Sequence, residues 1–230
     1  MNIEEIVYDV FEIKSLLEDD HDIDPLWLLG KINNYRAIHI KQDIALNNEI
    51  RPVWLQRIHK QKTIKTTSAD DPNISISSII LSKVILPRLM SINDDMGLYR
   101  ISGSSGISQF DLMDFNTMLM KIDIGEERMG QYGYASRIGN DLYLYPLTME
   151  IQAIVLAENP FDIQINDNGV LRDMLVTDDY PVERDMAQKI ILDILTKDLA
   201  LNDKAVVDLI NDSQQQFKLL KSGSNNQAED

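Results

Sequence analysis

The sequence predicts an α+β protein in which helices from both ends of the chain form one body and a mostly antiparallel, β-rich region is inserted between them. Apolar residues recur every three or four positions near the N-terminus and again after residue 181, which is the rhythm of helices with one buried face. Between about 74 and 160 the chain is rich in Ile, Val, Ser and Tyr, with period-two alternation and turn residues between the runs. The reading divides the chain into a helical hairpin with a short helix (1–58), the β-rich insert (74–160), closing helices (181–221) and a flexible tail (222–230).

In the first helix, 3–18, Ile3, Ile6, Val7, Val10, Ile13 and Leu17 form the apolar stripe. A short polar linker then makes the next helix its antiparallel neighbour. Asp24 is the expected N-cap of that second helix and Pro25 its first residue, where the missing N–H costs nothing. Its stripe is Leu28, Ile32, Tyr35 and His39, with Leu29, Arg36 and Ile40 alongside, and Asn47-Asn48 weaken it. Pro52 is read as restarting a short helix over 52–58 that carries Trp54 into the core beneath the hairpin. Residues 59–73 are polar and end in the turn signal Asp70-Asp71-Pro72-Asn73, and so read as a connection.

Strands are expected over 74–77, 79–86 and 97–101, followed by a Ser108-capped helix over 108–121. The clearest hairpin signal is Gly139-Asn140-Asp141 between arms 132–138 and 142–147, and one more strand covers 150–156. Pro181 opens a helix with Met186, Ile190, Ile191, Ile194 and Leu195 on one face, ending near Asp198. Asn202 caps a last helix carrying Leu209, Phe217 and Leu220, and the tail beyond has no large apolar residue to fold around.

Composition narrows the function. With no cysteine, disulfides and thiolate metal sites are excluded, and His21, His39 and His59 lack the spacing of paired helical ligands, so no metal or cofactor is expected. Apolar runs are far shorter than a membrane span, and the acidic N-terminus is unlike an export signal, so neither anchoring nor export by that route is expected. A net charge of −15 argues against general nucleic-acid binding, which depends on phosphate neutralisation.

The charge is unevenly placed. Residues 1–24 hold nine acids (Glu4, Glu5, Asp9, Glu12, Glu18, Asp19, Asp20, Asp22, Asp24) against Lys14, whereas 31–65 hold eight bases (Lys31, Arg36, Lys41, Arg51, Arg57, Lys60, Lys62, Lys65) against Asp43 and Glu49. One reading is a pair of solvated helix faces attracting each other. The other is head-to-tail contact between identical subunits, which closes into a ring when the rotation permits.

No constellation of catalytic residues emerges. Asp70-Asp71, Asp94-Asp95 and Asp178-Asp179 lie in turn-like sequence, Gly103-Ser104-Ser105-Gly106 lacks the Lys-Ser/Thr of a phosphate loop, and 167–169 lack the further acids of a calcium loop. The chain therefore reads as a non-enzyme with no catalytic, cofactor-binding or metal-binding residues. A cytosolic protein-binding module is the alternative to an assembly protein. A carboxylate-based hydrolase is the enzymatic competitor.

At Leu28-Leu29-Gly30-Lys31-Ile32-Asn33-Asn34-Tyr35-Arg36-Ala37, then Lys41-Gln42-Asp43, then Ile50-Arg51-Pro52-Val53-Trp54-Leu55-Gln56, the sequence resembles the first ring protein, the head-to-tail adaptor, of crAss-like tailed bacteriophages. The order of a β-rich middle, a hairpin at 139–141 and two closing helices is similar as well. The resemblance implies a non-catalytic structural protein of the virion, made in the host cytoplasm and placed at the head–tail interface. It implies a homo-oligomeric ring of twelve copies docked on the portal, with other ring or hub proteins of the tail as neighbours and DNA passing through the channel unbound. Lys60, Lys62 and Lys65, with Phe217, Leu219 and Leu220, are the expected subunit or portal contacts, and 214–230 the segment expected to order on assembly.

Overall fold

The computed structural model describes residues 2–17, 23–91, 97–103, 109–125, 132–167 and 170–201. The chain divides into two compact units, one from 1–50 with 176–230 and one from 51–175. The fold is α+β. The last helix and the tail lie outside the described residues, as do Phe217, Leu219 and Leu220.

In the helical unit, α1 (Ile3–Leu17) buries Ile3, Ile6, Val10 and Ile13. Asn2 and Glu5 cap its start reciprocally: Asn2 N–H donates to the Glu5 carboxylate at 3.1 Å and Glu5 N–H to Asn2 Oδ1 at 2.8 Å. α2 (Pro25–Asn47) begins where Asp24 Oδ1 accepts from Leu26 N at 3.0 Å, and ends at Asn48, whose left-handed φ of 50° lets its N–H reach Ile44 O. Its buried positions are Leu28, Ile32, Arg36, Ala37, Ile40 and Ile44. They step by four, so Tyr35 and His39 flank the buried stripe instead of leading it. α4 (Arg184–Asp193) runs on into a π-helical turn (Ile194–Asp198), closed by Leu199 N to Ile194 O at 3.0 Å. α1, α2 and α4 contact one another through these faces.

Arg36 is fully buried on α2, and its Nε donates to Pro181 O at 3.0 Å while its guanidinium lies over the Tyr180 ring. Burial lowers its pKa to about 10, so it stays protonated at neutral pH. Tyr180 in turn donates from its hydroxyl to Asn33 Oδ1 at 2.5 Å. This set corrects the expected helix start at Pro181. That carbonyl is engaged by Arg36, and Val182 N closes a tight turn on Tyr180 O, so helix begins only at Arg184.

In the β unit, the expected helix over 52–58 is a single 3-10 turn, Pro52–Trp54, after which the backbone extends. β1 (Gln56–Lys62) and β2 (Ile64–Thr66) occupy what read as a polar connection. Nothing in Gln-Arg-Ile-His-Lys-Gln-Lys favours a strand locally. Pairing with distant residues 150–155 decides it. The expected strand at 74–77 is a looped segment instead, with Ile74 N bonded to Asp71 O and Ile79 N to Ile76 O, and its alternating isoleucines fill space under a sheet.

β3 (Leu81–Ile85), β4 (Leu98–Gly103), β6 (Tyr132–Ile138), β7 (Asp141–Tyr145) and β8 (Glu150–Val155) follow the sequence reading closely. β5 (Gln109–Leu112) replaces the first turn of the expected 108–121 helix, and α3 (Phe115–Asp123) starts later, capped by Asp114, which accepts from Thr117 N at 3.1 Å. β9 (Ile165–Asp167) and β10 (Val170–Arg172) pair as a small ribbon.

The strands form one five-stranded sheet in the order β2-β3-β7-β6-β5 and one three-stranded sheet in the order β1-β8-β4. Among the described residues all strand pairs are antiparallel except β5 with β6, between which α3 lies in the chain. The five-stranded sheet is covered on both faces. Val84, Leu142 and Leu144 share a core with Ile58, Ile101 and Val155 of the smaller sheet, while Leu81, Tyr134 and Tyr143 pack under Phe115, Met118 and Leu119 of α3. Gly133 is required here, because a Cβ would stand 2.6 Å from Tyr145 O and 2.7 Å from the Phe110 ring. Trp54 is completely buried, with the Arg51 guanidinium over its ring.

Candidate functional site

The chain passes from the end of one sheet to the end of the other through Thr63, so β1 and β2 form a continuous strand run along an outer edge of the β unit. Its exposed charges are Arg57, Lys60, Lys62 and Lys65, four cations with no acid between them. A bulge lies between Ile58 and Gln61, where three steps on β1 face two on β8. Lys60 takes up the extra residue at φ 47°, in the left-handed region that disfavours side chains other than Gly, Asn and Asp. The chain thus holds a lysine where glycine would be less strained. The positive field is felt by His59, whose pKa is pushed down by burial and then by Arg57 and Lys60.

Beside this run lies a groove of about 700 Å³, lined by Lys62, Thr63, Lys65, Leu147, Thr148 and Met149, together with Ser82 and Glu150. Hydrogen bonds on Thr148 build its floor. Its carbonyl accepts from the hydroxyls of Thr63 and Ser82, and its N–H donates to Ser82 Oγ at 2.9 Å. Thr63 N–H donates to Met149 O at 3.0 Å, fixing the corner of the run against the 147–149 turn. On this scaffold Ile64 is 72% exposed and Met149 84% exposed, large apolar side chains held out beside lysines. Glu150, opposite Lys62 in the β1–β8 register, is the one acid of the lining.

Of the residues singled out from the sequence, Lys60, Lys62 and Lys65 come together on one exposed edge, and none takes part in an ion pair among the described residues. Phe217, Leu219 and Leu220 fall outside the described residues. Sequence reasoning missed Ile64, Leu147 and Met149. Ile64 is a single apolar residue in a polar stretch, while Leu147 and Met149 lie among the apolar residues of a hairpin arm and the strand after it and so look like core.

Asp71, read as a turn former, does more. Its Oδ2 accepts from Lys83 Nζ at 2.7 Å and from the Tyr143 hydroxyl at 2.6 Å, its Oδ1 from Asn73 N at 3.0 Å, and Lys83 reaches Asp141 at 2.8 Å as well. Burial alone would raise the Asp71 pKa, but these hydrogen bonds outweigh it and hold the group down at about 2. The cluster fastens the 67–79 loop to the sheet and leaves no reactive group free. In the helical unit Lys31 pairs with Asp198, and Asp193 with both His39 and Lys197. The Tyr35 hydroxyl, hydrogen-bonded to Asp198, is pushed up to about 12 by burial and that bond. Among the described residues no group of three or more His, Asp or Glu is placed to hold a metal ion, and no helix is long and apolar enough to cross a membrane.

A β unit that holds lysines and isolated apolar side chains out on one strand edge has the surface of an assembly protein, which binds other proteins. A family model described as phage tail ring protein 2, of the crAss ring proteins, matches residues 5–217, and the chain belongs to this family. Its role is accordingly that of a structural component of the phage tail, located in the virion. The resemblance to a crAss-like phage ring protein thus holds at the level of the family, and the description carries the ordinal two where the motifs had pointed to the first ring. No curated protein matches the chain.

Proposed function

We propose that this chain is the subunit of a homo-oligomeric ring of twelve copies at the head–tail connection, docked on the portal around the DNA channel, with Lys60, Lys62 and Lys65 in the contact between neighbouring subunits. The lysine edge carries the subunit-contact reading, since three cations on a rigid strand run have no ionic partner among the described residues, and one of them occupies a strained backbone position. The family match supports the ring and its place in the tail. The excess of acid over base, −15 for the chain, suits a bore past which DNA slides without adhering. In the assembled ring the last helix, from Asn202, completes a bundle with α1, α2 and α4, and 214–230 reaches the portal or a neighbouring ring or hub protein through Phe217, Leu219 and Leu220.

A second reading arises from the position of the lysines on strand edges, where charge prevents edge-to-edge aggregation. Reversal to glutamate separates the two, because glutamate guards an edge as well as lysine does but inverts its complementarity. The triple variant Lys60→Glu, Lys62→Glu, Lys65→Glu is expected to stay soluble and folded while assembling poorly, and the wild-type ring to loosen as salt is raised. Normal assembly of the triple variant at low and at high salt would refute the contact.

A further inference from the structure

Resting on the ring reading above, we propose that the groove beside the β1–β2 run receives the outward face of α1 from a second copy of this chain. That face consists of Glu4, Glu5, Tyr8, Glu12, Ser15 and Leu16, all exposed, and it lies opposite the buried stripe of Ile3, Ile6, Val10 and Ile13. A solvated helix face carries polar residues. This one also holds out Tyr8 and Leu16, each 64% exposed. They stand eight residues apart, about 12 Å along a helix, with Glu12 between them.

The two surfaces are complementary in kind. On the helix, three glutamates flank two apolar side chains, and Lys14, the one cation of α1, is buried on the far side and cannot neutralise them. The acidity leaves a trace on Asp9 at the border of the face, whose pKa is raised by burial and then by Glu12 and Glu5. At the groove, Lys62 and Lys65 stand beside Leu147 and Met149, with Lys60 next along the run and Glu150 the single exception in sign. Seating the helix buries apolar against apolar at the centre and pairs carboxylate with ammonium at the rim, the arrangement of an amphipathic helix in a groove. Because one surface is acidic and the other mainly basic, like surfaces repel. Each copy therefore offers its helix to one neighbour and its groove to the other, which is the head-to-tail geometry of a ring.

The test exchanges the charges. Glu4→Lys with Glu12→Lys, and separately the triple lysine-to-glutamate change, are each expected to weaken self-association by about tenfold or more at low salt. The chain carrying both sets inverts the charge on both sides, with Glu5 and Glu150 unchanged, and is expected to regain most of the lost self-association, as read by mass in solution, with thermal melts confirming that each variant is folded. The absence of cysteine allows a second arm, in which the double variant Tyr8→Cys with Met149→Cys forms a ladder of covalent oligomers under mild oxidation and each single variant does not. Loss of assembly on the lysine side without loss on the α1 side, or no rescue in the combined chain, overturns this partner while leaving the lysine contact standing. Rescue that stops at a closed dimer keeps the contact and overturns the ring. An intrachain cross-link, a wild-type chain that stays monomeric at low salt, or lysine variants that lose only retention on duplex DNA would each overturn the proposal.

Discussion

Replacing Asp71 with Asn keeps the shape of the side chain and removes its charge, so the change isolates the electrostatics of the loop anchor. Three donors converge on the carboxylate, from Lys83, Tyr143 and the Asn73 backbone, and Asp71 is almost entirely buried. A hydrogen bond to a charged group contributes about 1.5–3 kcal/mol, but Lys83 keeps Asp141 and is partly exposed, so the net loss is about 2–3 kcal/mol. Linkage gives the same size: a pKa held at about 2 against an ordinary 3.8 corresponds to about 2.5 kcal/mol at neutral pH. The folded-state pKa is depressed, so this stabilisation is complete above pH 4 or so and is lost as pH falls, with about half remaining near pH 3 and little near pH 2. Urea unfolding of wild type and Asp71→Asn at pH 7 and at pH 3 measures the difference directly. A gap below about 0.5 kcal/mol at pH 7, or one that does not shrink at pH 3, would refute the reasoning.

Three further outcomes follow from the same structure. Trp54→Ala should cost about 3–5 kcal/mol by thermal or urea melt, because a completely buried indole leaves a large cavity, and a melt matching wild type would show that Trp54 is not core. Lys60→Gly should be neutral or stabilising by up to about 1 kcal/mol, since glycine relieves the left-handed backbone, whereas Lys62→Gly in extended strand should lose about 0.5–1 kcal/mol. Equal losses at the two positions would show that the bulge carries no strain. Deleting 214–230 should leave the protomer folded by circular dichroism while reducing capture by the purified portal, and equal capture would rule out the tail as an anchor.

The sequence by itself determined the elements whose signals are local. The Asp24-Pro25 start and Asn48 end of α2 are backbone chemistry, as is the hairpin whose arms became β6 and β7 on either side of Gly139-Asn140. The α1 stripe is likewise a matter of spacing within one helix. From the residues of 28–56 came the ring-protein resemblance, and from the uneven placement of charge two readings, of which head-to-tail contact between copies was one.

What tertiary structure decided was everything that depends on a distant partner. β1 is a strand because residues 150–155 pair with it, although it carries no strand pattern of its own, and pairing with β6 makes a strand of β5, whose four-residue alternation is too short to be told from a helix start. Arg36 sits alongside the apolar stripe in the sequence, but its partners Pro181 and Tyr180 are supplied only by the fold, and Asp71 looks like a turn former until Lys83 and Tyr143 converge on it from the sheet. The candidate site divides the same way. Its lysines could be counted from the sequence, but their gathering on one edge, beside Ile64 and Met149, depends on a bulge and on a turn held by Thr148, contacts that join residues more than sixty positions apart.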